Sequence, residues 1–257
     1  MRVQLIETHL IWENVQANLE HFSNLLSQYA SDEKDIFILP EMFSTGFTMN
    51  TGVAEKRIEG EFPSVTWMKK QAAQLNAAVV GSVAISEDDG SYNRLFFVRP
   101  NGEVSQYNKR HLFSFAGEHE VYRAGQEQCL VSWRGWNILL NICYDLRFPE
   151  LVRNRLNESG APAYDILLNV ANWPQKRIAH WDALLKARAI ENQSYVLGCN
   201  RVGQDGNNLV YNGHSQAIDL LGNYLLAPHE QDGLNVVICS GAQLKDGRKM
   251  LPFLKDA

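Results

Sequence analysis

The 257 residues contain no apolar run approaching the roughly 18 residues needed to span a bilayer, so no membrane-spanning helix is expected. Basic charge is not in excess. There are 24 Lys and Arg against 29 Asp and Glu, a net charge of -5. Nucleic acid, which demands a basic face against its phosphates, is therefore not an expected partner. The four cysteines, Cys129, Cys143, Cys199 and Cys239, form no C-x-x-C pair. They read as passive thiols or a single nucleophile, not as a disulfide framework or zinc site. Of seven histidines, only His111 and His180 lie near residues of chemical interest. Neither has a second histidine at ligand spacing, so no metal is expected. The opening MRVQLIETHLIWEN lacks the basic start, apolar core and cleavage site of a secretory signal, and a cytoplasmic location is expected. Repeats, low-complexity stretches and linkers are also missing.

What is present is ordinary globular composition, with 45% hydrophobic and 21% charged residues, enough for one large domain or two small ones. Residues 2–8 alternate like a strand. Val15, Leu19, Phe22, Leu25 and Leu26 recur at helical spacing, predicting a helix over 13–30. Short continuous apolar runs at 35–39, 77–86, 136–142 and 165–170 predict buried strands, and 194–200 and 235–240 read as further strands, the last closing the sheet set. Helices are predicted over 64–75, with Ser64 as N-cap, and over 175–193. Phe148-Pro149-Glu150 starts another, with proline in its first turn. Asn101-Gly102 between 91–100 and 103–109 predicts a two-residue hairpin turn with positive φ at both positions. A second hairpin is predicted around Leu221-Gly222-Asn223, and a short polar helix at the end of the chain. Alternating strands and helices with interspersed hairpins indicate an α/β fold with mixed sheets.

Three polar groups sit where predicted strands end: Glu41 after FILP, Lys109 after the Asn-Gly hairpin, and Cys143 after WNILLNI. Strand ends are where α/β folds place active sites. A thiolate attacks carbonyl carbon, a carboxylate can take its proton, and an ammonium can hold the oxyanion that develops. The same residues also fit bland roles: a small core thiol, a turn or cap carboxylate and a solvated charge. Lys69-Lys70 and Lys176-Arg177 read as solvated faces.

The segments Pro40-Glu41-Met42-Phe43, Asn108-Lys109-Arg110-His111-Leu112-Phe113 and Asn141-Ile142-Cys143-Tyr144-Asp145-Leu146-Arg147-Phe148-Pro149-Glu150 resemble the signature segments of the nitrilase, or carbon–nitrogen hydrolase, superfamily. The resemblance spans roughly residues 2–240. Ala171-Asn172-Trp173-Pro174 and residues 180–203 resemble its omega-amidase branch.

The resemblance implies one hydrolase domain over 1–257, folded as a four-layer α-β-β-α sandwich and paired as a homodimer through a helical layer. It implies a Glu41, Lys109 and Cys143 catalytic set. A second glutamate, counted seven residues back from Gly125, falls on Glu118, with Glu120 as a competitor. It further implies hydrolysis of the terminal amide of small α-keto acid amides, such as 2-oxoglutaramate or 2-oxosuccinamate, through a cysteine thioester and without cofactor. Other expected readings are a deaminated-glutathione amidase or carbamoyl hydrolase of the same superfamily, and a non-catalytic sandwich scaffold; nitrile hydrolysis is disfavoured. Arg147 either grips the substrate carboxylate or ties the cysteine loop to a neighbouring carboxylate. Tyr144 offers a backbone donor. Trp173, Phe47 and Phe113 offer apolar walls, Asn172 a donor or loop cap, and Asp145 a brace for the loop. A nearby Lys109 is expected to favour the charged forms of Cys143 and Glu41.

Overall fold

The computed structural model describes residues 1–28, 34–229 and 233–256. In chain order the elements are β1 (Arg2–Glu7), α1 (Val15–Ser27), β2 (Ile36–Ile38), α2 (Pro63–Leu75), β3 (Ala78–Glu87), β4 (Gly90–Val98) and β5 (Val104–Asn108). After these come α3 (Glu118–Val121), β6 (Leu130–Trp133), β7 (Trp136–Ile142), α4 (Pro149–Val152), β8 (Ile166–Val170), α5 (Ile178–Asn192) and β9 (Tyr195–Cys199). The last are β10 (Val202–Gln204), β11 (Val210–Asn212), β12 (Gln216–Ile218), β13 (Tyr224–Leu226), β14 (Gly233–Ile238) and α6 (Gly241–Met250). Residues 29–30, the end of the helix predicted over 13–30, lie outside the described residues.

Two six-stranded mixed sheets result, in the orders β14-β1-β2-β3-β4-β5 and β13-β12-β9-β8-β7-β6. Each has three parallel strands at its centre, β1-β2-β3 and β7-β8-β9, with antiparallel neighbours on both sides. Side-chain alternation explains how they stack. Val3, Leu5, Ile36, Ile38, Ile138, Leu140, Ile166, Leu168 and Leu197 meet in one core between the sheets. The alternate residues Ile6, Phe37 and Val79 face α1 and α2 through Phe22, Leu26 and Met68. Leu139, Leu167 and Val196 face α5 through Trp181, Leu185 and Ala189. The layers are therefore helix, sheet, sheet and helix, as the resemblance implies. Strands covered on both faces carry no polar alternation, which is why they read as continuous apolar runs. Among the described residues no helix is long and apolar enough to cross a membrane.

Local chemistry corrects two expectations. Ser64 is not the N-cap of α2. Pro63 takes the first turn, and the backbone N–H of Ser64 is capped by the buried Glu55 carboxylate at 2.8 Å. The loop after β4 is longer than two residues. Arg99 N–H donates to Glu103 O at 2.9 Å across it, and only Gly102, not Asn101, takes a positive φ, of 83°. Strands β6, β10 and β11 had no strand expectation; the last two are three residues each, too short to give a periodic signal.

Leu168, wholly buried between the sheets, tests this layering. Leu168→Ala should lower stability by about 2–5 kcal/mol, seen as a reduced denaturant midpoint at unchanged slope. A change below about 0.5 kcal/mol would place the core elsewhere.

Candidate active site

Four chain segments leave the two sheets at the same end. Strand β2 of the first sheet delivers Glu41. Strand β5 runs in the same sense as β2, because two antiparallel steps separate it from β3, and it delivers Lys109. Strands β7 and β8 of the second sheet deliver Cys143 and Asn172. The carboxyl ends of parallel strands thus open toward one pocket.

Lys109 lies at its centre, 1% exposed. Its Nζ donates to Glu41 Oε1 at 2.8 Å and to Glu118 Oε1 and Oε2 at 3.0 and 2.9 Å. Both carboxylates are fully buried. Burial disfavours the ammonium, but the two carboxylates outweigh it and hold the Lys109 pKa above its ordinary value, so the lysine is charged. Burial raises the Glu118 carboxyl, against the pull of Lys109. Glu118 also accepts the Phe113 N–H at 2.6 Å, which fixes the loop after Lys109. Glu120 is exposed, whereas Glu118 is buried against Lys109.

The Glu41 carboxylate is held from several sides. Asn93 Nδ2 donates to Oε1 at 2.8 Å, and the Asn172 backbone N–H donates to Oε2 at 2.8 Å. The Asn172 side-chain amide donates to the Glu41 carbonyl. Asn172 therefore orients Glu41. Asn93 also reaches Glu118 at 3.4 Å; the sequence reading missed it, because mid-strand asparagine carries no motif signal.

Cys143 stands at the tip of β7 with φ at +44°, a conformation an L residue adopts only when its surroundings impose it. Asp145 supplies part of that constraint. Its carboxylate accepts the Tyr107 hydroxyl at 2.8 Å, the His111 N–H at 2.8 Å and the Ile142 N–H at 3.2 Å. One buried side chain thus ties the cysteine turn to the segment that carries Lys109. Here the charge expectation needs correcting. Lys109 does draw the thiol pKa down, but burial first and the Glu41 charge second push it well above the ordinary range. At rest the sulfur is therefore a protonated thiol.

Cys143, Lys109, Tyr144, Arg147, Asn172, Trp173, Phe47 and Phe113 all line one cavity of about 110 Å³. Lys109 Nζ lies 5.0 Å from the Phe47 ring centre. Arg147 stacks 4.7 Å over Trp173 and donates to His180 Nδ1 at 3.1 Å. Among the described residues it has no carboxylate partner, so the structural alternative for Arg147 loses its tie. Asp205, Asn207, Leu209, Tyr211 and Arg177 also line the cavity, none of them anticipated as pocket residues. A wider groove of about 780 Å³ lies at the opposite, amino-terminal ends of β7 and β8, between Trp136, Asp165 and Arg248, away from these groups.

Comparison with known proteins follows the same lines. Residues 3–245 match the carbon–nitrogen hydrolase family model. The chain is 43% identical to the omega-amidase YafV of Escherichia coli K12, covering 100% of this chain and 96% of that protein. It is 32% identical to the 2-oxoglutaramate amidase of Bacillus subtilis, covering 88% and 86%. The crystal structure of XC1258 from Xanthomonas campestris, described as a CN-hydrolase superfamily protein with an arsenic adduct in its active site, superposes with a TM-score of 0.96 at 40% identity, covering 100% and 97%.

The thiolate absorbance lost in Cys143→Ala isolates this sulfur. Its titration should begin above the ordinary cysteine value of about 8.5. Glu41→Gln should move it down, because a charge that raises the pKa is removed. A Cys143 thiolate signal at neutral pH in the native protein would contradict this electrostatic account.

Proposed function

The chain belongs to the carbon–nitrogen hydrolase family, and on that premise we propose that it is an omega-amidase, cleaving the terminal amide of small α-keto acid amides such as 2-oxoglutaramate and 2-oxosuccinamate to the dicarboxylic acid and ammonia. The observation that carries the reading is that the Cys143 thiol, the Lys109 ammonium with Glu41 hydrogen-bonded to it, and an Arg147 guanidinium without a carboxylate partner among the described residues converge on one small, largely apolar cavity lined by Cys143, Lys109 and Arg147. The first two fit acyl transfer; the third fits an anionic substrate tail.

In the proposed cycle Glu41 takes the Cys143 proton as sulfur attacks the amide carbon. Lys109 and the Tyr144 backbone N–H hold the oxyanion. Each such donor lowers the barrier by about 3–4 kcal/mol when preorganised. Glu41 returns the proton to the departing nitrogen, ammonia leaves and a thioester remains. Glu41 then draws a proton from water as it attacks the thioester, and the acid and thiol are regenerated. Glu118 anchors the Lys109 ammonium through two of its contacts, so that a remaining N–H can face the oxyanion. Arg147 takes the substrate carboxylate as a planar fork. Trp173, Phe47 and Phe113 wall the carbon chain, while Asn172 keeps Glu41 in line.

We also propose that all of residues 1–257 act as one hydrolase domain in the cytoplasm, paired as a homodimer. The exposed Ile190 on α5, packed beside Gly222 of the β12–β13 turn, with the exposed Tyr224 under Lys186 next to it, supports pairing through the outer helical layer.

Ammonia release should be fastest with 2-oxoglutaramate in a panel that includes carbamoyl compounds, deaminated glutathione and nitriles. A different leader would reassign the substrate, and no turnover with binding of a protein partner would favour the scaffold. Cys143→Ala should cost about 10³-fold or more in kcat while leaving the circular dichroism spectrum unaltered. Turnover at the native rate would remove the thioester mechanism. Arg147→Lys should weaken keto-acid amides more than neutral amides, because lysine lacks the fork. Equal losses would make Arg147 structural.

A further inference from the structure

The pair Lys176-Arg177 does not behave as one solvated face. Lys176 is exposed, but Arg177 is half-buried and lines the same cavity as Cys143. It stands on the single 3-10 turn Gln175–Arg177 that follows β8 and leads into α5, whereas Arg147 stands on the turn after β7. The two guanidiniums therefore reach the cavity from different loops. Each lies over an aromatic ring. Arg147 lies over Trp173 at 4.7 Å and Arg177 over Phe113 at 5.1 Å. The Trp173 indole N–H donates to the Arg177 carbonyl at 2.8 Å, linking the two supports.

This arrangement concentrates positive charge. Among the described residues neither guanidinium is ion-paired with a carboxylate. Asp205, the carboxylate on the cavity wall, is committed elsewhere. Its Oδ1 accepts the Asn207 and Leu209 N–H groups, and its Oδ2 accepts the Tyr211 hydroxyl at 2.9 Å. The polar partner of Arg147 is the ring nitrogen of His180, which must accept and so carries no proton there. Burial, with the neighbouring Arg177 charge as a further contribution, draws the Arg147 pKa down, a sign that the two cations feel one another. Two like charges on an apolar wall are unfavourable unless an anion joins them.

We propose that Arg177 is a specificity-determining residue that acts with Arg147 as a two-guanidinium clamp on a carboxylate at the end of the substrate opposite the scissile amide. The proposal rests on the omega-amidase reading and deepens it. One fork fixes a carboxylate in its own plane; a second, from another loop, fixes it from another side. The aromatic supports reduce the rotamer freedom that each arginine would otherwise lose on binding. The site then selects ω-amides with an anionic tail over neutral amides of the same length.

The test is steady-state ammonia release by the native enzyme, Arg177→Gln and Arg177→Lys, with 2-oxoglutaramate and with butyramide as the neutral probe. Arg177→Gln should raise KM for 2-oxoglutaramate, with kcat within a few-fold. Its kcat/KM loss on that substrate should exceed the loss on butyramide by about 10- to 100-fold, the usual range for a charge-assisted contact. Arg177→Lys should recover part of the difference. Equal losses on both substrates, or a loss confined to kcat, would overturn the clamp while leaving the omega-amidase reading intact. A native enzyme with no preference for 2-oxoglutaramate over butyramide would overturn both.

Discussion

A lysine ammonium that is sealed from water survives only where opposite charge replaces its hydration. In this protein that requirement falls on Lys109, and the two carboxylates that meet it come from elsewhere in the chain: Glu41 after β2 and Glu118 in α3. Removing the lysine would leave two buried carboxylates facing each other without a cation, a penalty of several kcal/mol. The triplet therefore sets the positions of three loops at once. It also fixes the proton balance of the pocket, since one charged lysine and the Glu41 carboxylate act in opposite directions on the Cys143 thiol.

The sandwich makes such a triplet achievable. Stacking two sheets over a common apolar core brings the carboxyl ends of β2 and β7 to the same rim although Glu41 and Cys143 are far apart in sequence. Rigid strands carry the reacting groups up to that rim, and short polar ties finish the alignment. Asp145 joins the cysteine turn to the lysine segment, Asn172 joins the second sheet to Glu41, and Asn93 joins Glu41 to Glu118. The positive φ at Cys143 is the local cost of turning its sulfur toward the base. A thiol kept protonated by burial and by the Glu41 charge suits a nucleophile that should become reactive when a carbonyl arrives and stay inert otherwise.

Above this floor the cavity is built from aromatic faces and cations. That combination excludes water around the carbon chain and offers charge to a tail. Substrate choice is in this view a property of the loops after β7 and β8, and bond cleavage a property of the buried triplet and sulfur beneath them.

Apolar run length and motif order determined much of this protein from its sequence alone. The burial of β2, β7 and β8, the alternation with α1, α2 and α5, and the strand-end positions of Glu41, Lys109 and Cys143 are local properties, and local properties are written in order along the chain. Tertiary structure decided the rest. Which of Glu118 and Glu120 turns inward, why Asn93 matters, that Arg177 leaves its lysine neighbour to enter the cavity, and that the Cys143 thiol is held protonated all depend on contacts between segments distant in the chain. Burial and charge act through space, so their sum at any one atom exists only after the two sheets have closed on each other.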